Sequence, residues 1–191
     1  MPGRQAKVIR PAQLRVLLRH VRHHSDPVRS RAIVLLSLKA GLRAAEIAKL
    51  QWPMVLDASG KVASSIEIDD RIAKKGSGRR VPMHPELRNA LTALLRHTGA
   101  TGPIVRSNRG DGMRPNSIVN WFIALYRELG FDGCSSHSGR RTFITQAARL
   151  THKAGGSLRD VQLLAGHRSI ETTQRYIDGD TDAQRKLVAL L

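Results

Sequence analysis

The densest chemistry in this chain lies in Gly166 to Tyr176, G-H-R-S-I-E-T-T-Q-R-Y, where one phenol stands beside a histidine, two threonines and two arginines. A tyrosine hydroxyl, with a pKa of about 10, is a poor nucleophile until neighbours stabilise its phenolate or take its proton. Taken alone, such a tyrosine is a half-buried aromatic with a satisfied hydroxyl. Groups that could change this recur elsewhere. In S-S-H-S-G-R-R-T-F, residues 135 to 143, His137 and Arg140 are three apart on the first turn of an expected helix. Free backbone N–H groups and the helix dipole favour an anion there, with or without chemistry. In G-L-R-A-A-E-I, Arg43 and Glu46 share that spacing. They form either a plain ion pair or a carboxylate that aims Arg43 at a phosphate. Lys74, Lys75, Gly76, Ser77 and Gly78 mark a hairpin tip, read as a polar turn or as a basic loop reaching into a site.

Regular elements must hold these groups. Residues 11 to 24 have helical periodicity, with Leu14, Leu17, Leu18 and Val21 inward and a basic face outward. His20, His23 and His24 on that helix have no carboxylate or cysteine beside them in sequence, so a solvated basic face is expected rather than a metal site. Asp26 and Pro27 start a helix from Val28 to Ala40 that is nearly apolar all round and should cross the core. Gly41 ends it, and a short helix carrying Arg43 and Glu46 follows. From Trp52 to Met83, pieces such as W-P-M-V-L and S-I-E-I predict a small antiparallel sheet. Further helices are expected over 85–97 and 115–129, with a short strand I-V-R-S between them. Either Ser135 or Ser136 is expected to cap the helix carrying Arg140. Gly166 should end a helix at Ala165, and Ser169 should cap the next, placing Thr172 and Thr173 on the face of Tyr176 and Arg175 elsewhere. The fold class is therefore mainly α with a small antiparallel β-sheet (α+β).

Charge narrows the partner. Lys plus Arg number 32 against 15 Asp plus Glu, a net charge of +17. Arginine forks match phosphate oxygens, so nucleic acid is the expected polyanion. No apolar run approaches ~20 residues and the N-terminus lacks a signal-peptide core, so a cytoplasmic location with no membrane partner is expected. Cys134 is the only cysteine, which excludes an intrachain disulfide and a cysteine-based metal cage. Scarce aromatics argue against a base-stacking single-strand binder. Few, dispersed carboxylates argue against a metal-dependent nuclease.

In this order, G-L-R-A-A-E-I, the lysine-bearing hairpin ending in V-P-M, H-S-G-R-R-T-F and G-H-R-S-I-E-T-T-Q-R-Y resemble the catalytic-domain boxes of the tyrosine recombinases, the phage-integrase family. The resemblance implies cleavage and rejoining of duplex DNA through a 3'-phosphotyrosyl intermediate, with neither ATP nor metal and no other cofactor. It implies Tyr176 as nucleophile, Arg43 and Arg140 on the non-bridging oxygens, His137 in proton transfer and His167 as a hydrogen-bonding group on the phosphate. Lys74 fits the general acid for the leaving 5'-oxygen because it precedes Pro82 as the family's hairpin lysine does, with Lys75 as alternative. Many relatives have leucine at Gly139 and histidine at Arg141.

The resemblance further implies one catalytic domain over 1–191, with residues 1–10 as an arm, either as in short members that lack the N-terminal core-binding domain or as a piece of a longer integrase. Residues 180–191 are expected to form a C-terminal helix that docks on its own domain or on a neighbouring subunit. Expected partners are duplex DNA and, in a synapse that could be tetrameric, further copies of the chain or another recombinase subunit. A DNA-binding accessory protein and a type IB topoisomerase-like strand transferase are the alternatives. Covalent trapping on DNA separates the first, and relaxation of supercoils without a specific site marks the second.

Overall fold

A computed structural model describes residues 6–73, 76–176 and 188–189 of the chain. Helix α1, Pro11–His20, begins with proline at its first position, and Gln13 Oε1 accepts from the Arg10 backbone N–H at 3.0 Å. It buries Leu17 and stops earlier than its periodicity predicts, giving way to a 3-10 turn at Val21–His23. Helix α2, Pro27–Lys39, starts as expected, with Asp26 Oδ1 accepting from the Arg29 N–H at 2.9 Å. All of Ala32 to Leu38 is buried. That burial explains the lack of a polar face: α2 packs against α1, α3 (Ala44–Lys49), α4 (Pro85–Thr98) and α6 (Ser138–Leu150).

Strands β1, Ser65–Ile68, and β2, Arg79–Pro82, pair antiparallel, with Ile66 opposite Val81 and Ile68 opposite Arg79. Asp70 Oδ1 accepts from the Gly78 N–H at 2.8 Å near the hairpin end. The expected strand through Trp52-Pro53-Met54 is instead a 3-10 turn. Pro53 has no N–H to donate to a ladder, and Trp52 goes to the core. Leu56 and Val62 form only an isolated bridge, and the expected I-V-R-S strand reduces to the bridge Arg106 to Gly112.

Helix α5, Pro115–Glu128, packs on α3 and buries Ile118, Phe122 and Leu125. The largest core side chains, Trp52 and Phe122 among them, belong to one cluster spanning α1 to α5 and the sheet. A smaller cluster of Ile144, Val161 and Ala165 joins α6 to α7, Leu158–Ala165, and Tyr176 packs against it. Helix α8, Ile170–Gln174, follows. No helix among the described residues is long and apolar enough to cross a membrane. Lys74, Lys75 and most of the expected C-terminal helix lie outside the described residues.

Candidate active site

Arg43 is the residue immediately before α3, and the spacing that suggested an ion pair produces one. Glu46 Oε1 lies 2.8 Å from Arg43 Nη1, and Glu46 Oε2 accepts from the Arg43 backbone N–H at 2.9 Å. Glu46 is only 1% exposed, and a buried carboxylate needs more than one partner. Arg79, the first residue of β2, supplies the second, with Nη1 and Nη2 on the two carboxylate oxygens at 2.9 and 3.0 Å. Its Nε donates to the Leu164 carbonyl at 2.9 Å, tying the strand to α7. Burial pushes the Glu46 carboxyl up, but the Arg79 hydrogen bonds and charge, then those of Arg43, overcome it and hold the group at about 2.

Arg140 comes from the first turn of α6 and is 4% exposed. Its Nη1 donates to the Gly41 carbonyl at 2.7 Å, and its Nη2 reaches the Ala165 carbonyl and His167 Nε2, the latter at 3.1 Å. Gly41 turns with φ +64°, and a Cβ there would overlap the Phe143 ring. Only glycine lets the chain present this carbonyl between α2 and α3. Burial, and then the nearby Arg43, push the Arg140 guanidinium below its usual range, with Glu46 opposing. It remains a cation.

The capping expectation for α6 does not hold: His137 itself is the N-cap residue, and neither Ser135 nor Ser136 caps. Ser135 Oγ instead accepts from the His137 N–H at 3.3 Å, which fixes the turn before the helix and leaves the exposed His137 imidazole at its mouth. Gly139 stands where the family resemblance implied a leucine in many members. Here an added Cβ would overlap Ser37 Oγ, so glycine is what permits α6 to cross α2 this closely.

Gly166 ends α7 with φ +61°, as its position predicts, and places His167 beside Arg140. Arg140 can only donate, so His167 Nε2 accepts and Nδ1 carries the proton, 3.0 Å from Thr173 Oγ1. Burial, reinforced by Arg140, Arg43 and Arg79, lowers the His167 imidazole to about 4, so it is neutral near pH 7. The Tyr176 ring stacks on it, with centroids 5.5 Å apart and planes at 23°. Thr145 Oγ1 approaches the Tyr176 carbonyl at 3.4 Å. Thr173 is fully buried against His167, whereas Thr172 and Arg175 line the cleft. Thr173 and Tyr176 both meet His167, in keeping with a shared face, whereas Arg175, expected to point elsewhere, also lines the cleft.

These elements enclose a cleft of about 390 Å³ that gathers Arg43, His137, Arg140, His167 and Tyr176. Lys74 is the one expected site residue it does not show, since that residue lies outside those described. Arg141 lines the same cleft, with its Nε buried and unpartnered among the described residues. Arg43, Arg79 and Arg140 cluster around a single carboxylate, Glu46. Their surplus positive charge suits a bound anion. Arg79 and Thr173 escaped sequence reasoning as site residues. A faint signal existed for Arg79: alternation along β2 puts it on the face of the buried Val81, an unusual place for a charge without a partner.

The family model described as Phage integrase family matches residues 7–182. Tyrosine recombinase XerC of Rickettsia canadensis is 28% identical over 170 residues, covering 84% of this chain and 52% of that protein. Tyrosine recombinase XerC of Rhodospirillum centenum is 33% identical over 162 residues, covering 81% and 44%. The chain thus spans about half the length of the curated relatives it matches. The crystal structure of XerA recombinase superposes with a TM-score of 0.77 at 25% identity, over 99% of this chain and 66% of that one. XerH bound to palindromic difH substrate shares the fold, with a TM-score of 0.76 at 16% identity over 99% and 54%.

Proposed function

The chain belongs to the phage integrase family, and from that premise we propose that it cleaves and rejoins duplex DNA at specific sites through a 3'-phosphotyrosyl intermediate. The observation that carries this reading is the cleft itself, where Tyr176 faces a surplus of guanidinium charge held by buried contacts. Tyr176 Oη attacks the scissile phosphorus, forming an O–P bond as the bond to the 5'-oxygen breaks. Arg43 and Arg140 hold the non-bridging oxygens and stabilise the charge that builds on them. His137, exposed at the cleft mouth, assists transfer of the phenol proton. Lys74 protonates the departing 5'-oxygen. One phosphodiester replaces another, so positioned cations and proton donors suffice, without ATP or a metal.

His167 has a narrower role in this reading. Both its ring nitrogens are engaged in the free protein, so it orients Arg140 and backs the Tyr176 ring. It contacts a phosphate through Nε2 only by giving up the Arg140 contact. The dimeric lambda integrase bound to a COC' core site, a neighbour in fold with a TM-score of 0.72 at 17% identity, supports self-association on DNA as part of the proposal. Assembly into a synapse, residues 1–191 acting as one catalytic domain, and residence with the DNA in the cytoplasm belong to the same reading.

The test is denaturant-stable attachment to duplex DNA carrying a nick near the scissile phosphate, which traps the intermediate by loss of the free 5'-end. Adduct on the 3'-phosphate side supports the proposal. Binding without adduct favours an accessory protein of the same fold, and relaxation of supercoils at any sequence favours a topoisomerase-like strand transferase.

A further inference from the structure

Away from the cleft, the ends of α1 and α5 meet in a cluster of metal-binding side chains. His20 is the last residue of α1, His24 follows the 3-10 turn, and Glu128 is the last residue of α5. One ligand-type atom from each lies within 4.8 Å of the other two. In sequence these histidines lack a neighbouring carboxylate, but the fold supplies one from 108 residues away, with Glu128 Oε2 3.0 Å from His20 Nε2. His23 is exposed and takes no part.

We propose that His20, His24 and Glu128 form a binding site for a divalent transition-metal ion of the zinc type. Two imidazoles and one carboxylate are a common donor set for such an ion, with protein–metal distances of about 2.0–2.2 Å. Ligand atoms on one such ion stand about 3–3.5 Å apart, so the His20 and Glu128 atoms, 3.0 Å apart, need little adjustment and small side-chain rotations bring the three, now within 4.8 Å of one another, to that spacing. The His20 and His24 rings already meet edge to face with centroids 5.4 Å apart.

The surroundings resemble a prepared site rather than a chance ion pair. His24 Nδ1 is 3.1 Å from Ser30 Oγ, and Ser30 is 1% exposed, so the imidazole is gripped from behind and offers Nε2 forward. Metal-bound histidines characteristically have this outer contact on the second ring nitrogen. The Trp121 ring packs edge-on against His24 at 5.8 Å and restrains it from the side. Arg29 opposes a cation here and Glu128 offsets it. Glu128 is exposed, so the remaining coordination position opens to solvent. An ion here would fasten the α1 end to the α5 end, independently of any reaction in the cleft.

The test is titration of the tag-free chain with Zn(II) alone by calorimetry, and with Co(II) alone by visible absorbance and tryptophan fluorescence. The expected result is one equivalent bound, a tetrahedral or five-coordinate Co(II) spectrum and quenching of Trp121. Glu128→Gln, at an exposed position that leaves the core untouched, should weaken binding at least tenfold, and Ser30→Ala should weaken it about tenfold or more. The His20→Ala, His24→Ala double variant should not bind at the site. Absence of binding by the wild-type chain, or the same affinity in Glu128→Gln and the double variant, would overturn the assignment.

Discussion

Arg79 and Glu46, 33 residues apart, meet in a paired contact: Nη1 on Oε1 at 2.9 Å and Nη2 on Oε2 at 3.0 Å. Both side chains are nearly inaccessible, 5% and 1% exposed. Arg79 also holds the Leu164 carbonyl, so one guanidinium links the strand to the helix carrying Arg43 and to the helix preceding His167. The junction thereby ties together the elements that carry cleft residues.

Breaking the junction should be costly. Arg79→Ala leaves Glu46 buried with Arg43 alone and should destabilise the fold by about 3–5 kcal/mol, measured by urea denaturation. The acid behaviour follows from the Glu46 carboxyl, which falls from 4.5 to about 2 on folding. A depressed carboxylate contributes stability that is complete above pH 4.5 and lost as pH falls toward 2. At about 1.4 kcal/mol per unit, the contribution is about 3 kcal/mol. Glu46→Gln should therefore lose less stability than wild type between those pH values, and an identical slope would contradict the pairing.

His167 should behave in the opposite way from a histidine whose pKa is raised by an acidic partner. Its imidazole falls from 6.5 to about 4 on folding, so between these values the unfolded chain binds the extra proton and the native chain does not. The stability it contributes is complete above pH 6.5 and is lost as pH falls through 4, on the order of 1 kcal/mol after solvent screening. Nuclear magnetic resonance should show its ring neutral at about pH 5.5, between those two values. His167→Gln should flatten the stability profile between pH 6.5 and 4.

Gly139 and Ser37 should prove energetically coupled. Ser37 Oγ is buried without a partner among the described residues, and an added Cβ at 139 would overlap it. Gly139→Ala should cost about 1–3 kcal/mol, and Ser37→Gly in the same chain should recover a good part of that. Simple additivity of the two changes in thermal denaturation would show that α2 and α6 do not cross as described.

Local spacing made much of this legible. The three-residue separation of Arg43 and Glu46, the Asp26-Pro27 start of α2 and the Gly166 helix end depend on near neighbours, and each forms as its spacing predicts. What escapes a local reading depends on tertiary contact. Nothing near Arg79 names Glu46 as its partner, and nothing near His20 announces Glu128. Helical spacing places Thr173 on the side of Tyr176, but only the fold shows that both meet His167, Thr173 at Nδ1 and the Tyr176 ring by stacking. Trp52 suggests a strand by its type, yet β-propensity reflects packing context, and its ring goes to the core from a 3-10 turn.

Lys74 and Lys75 are to be distinguished by chemistry. If Lys74 protonates the leaving oxygen, Lys74→Ala should slow cleavage far more than Lys75→Ala. A substrate with a 5'-bridging sulfur, whose leaving group needs no proton, should restore the Lys74 variant. Equal loss at both positions, or no rescue, removes Lys74 from the role.

The most direct measurement of the central claim is covalent capture, comparing wild type with Tyr176→Phe on DNA recovered from the host and on nicked duplexes made from it. The substitution removes one oxygen from a site whose affinity comes from guanidinium groups, so duplex binding should stay within about twofold. The wild type should form a denaturant-stable adduct, ended by protease and mapping to a tyrosyl 3'-phosphate, and the variant should form none. A Tyr176→Phe chain that still attaches to DNA, or a wild-type chain that binds the nicked duplex and never attaches, would contradict the assignment of Tyr176 as the nucleophile.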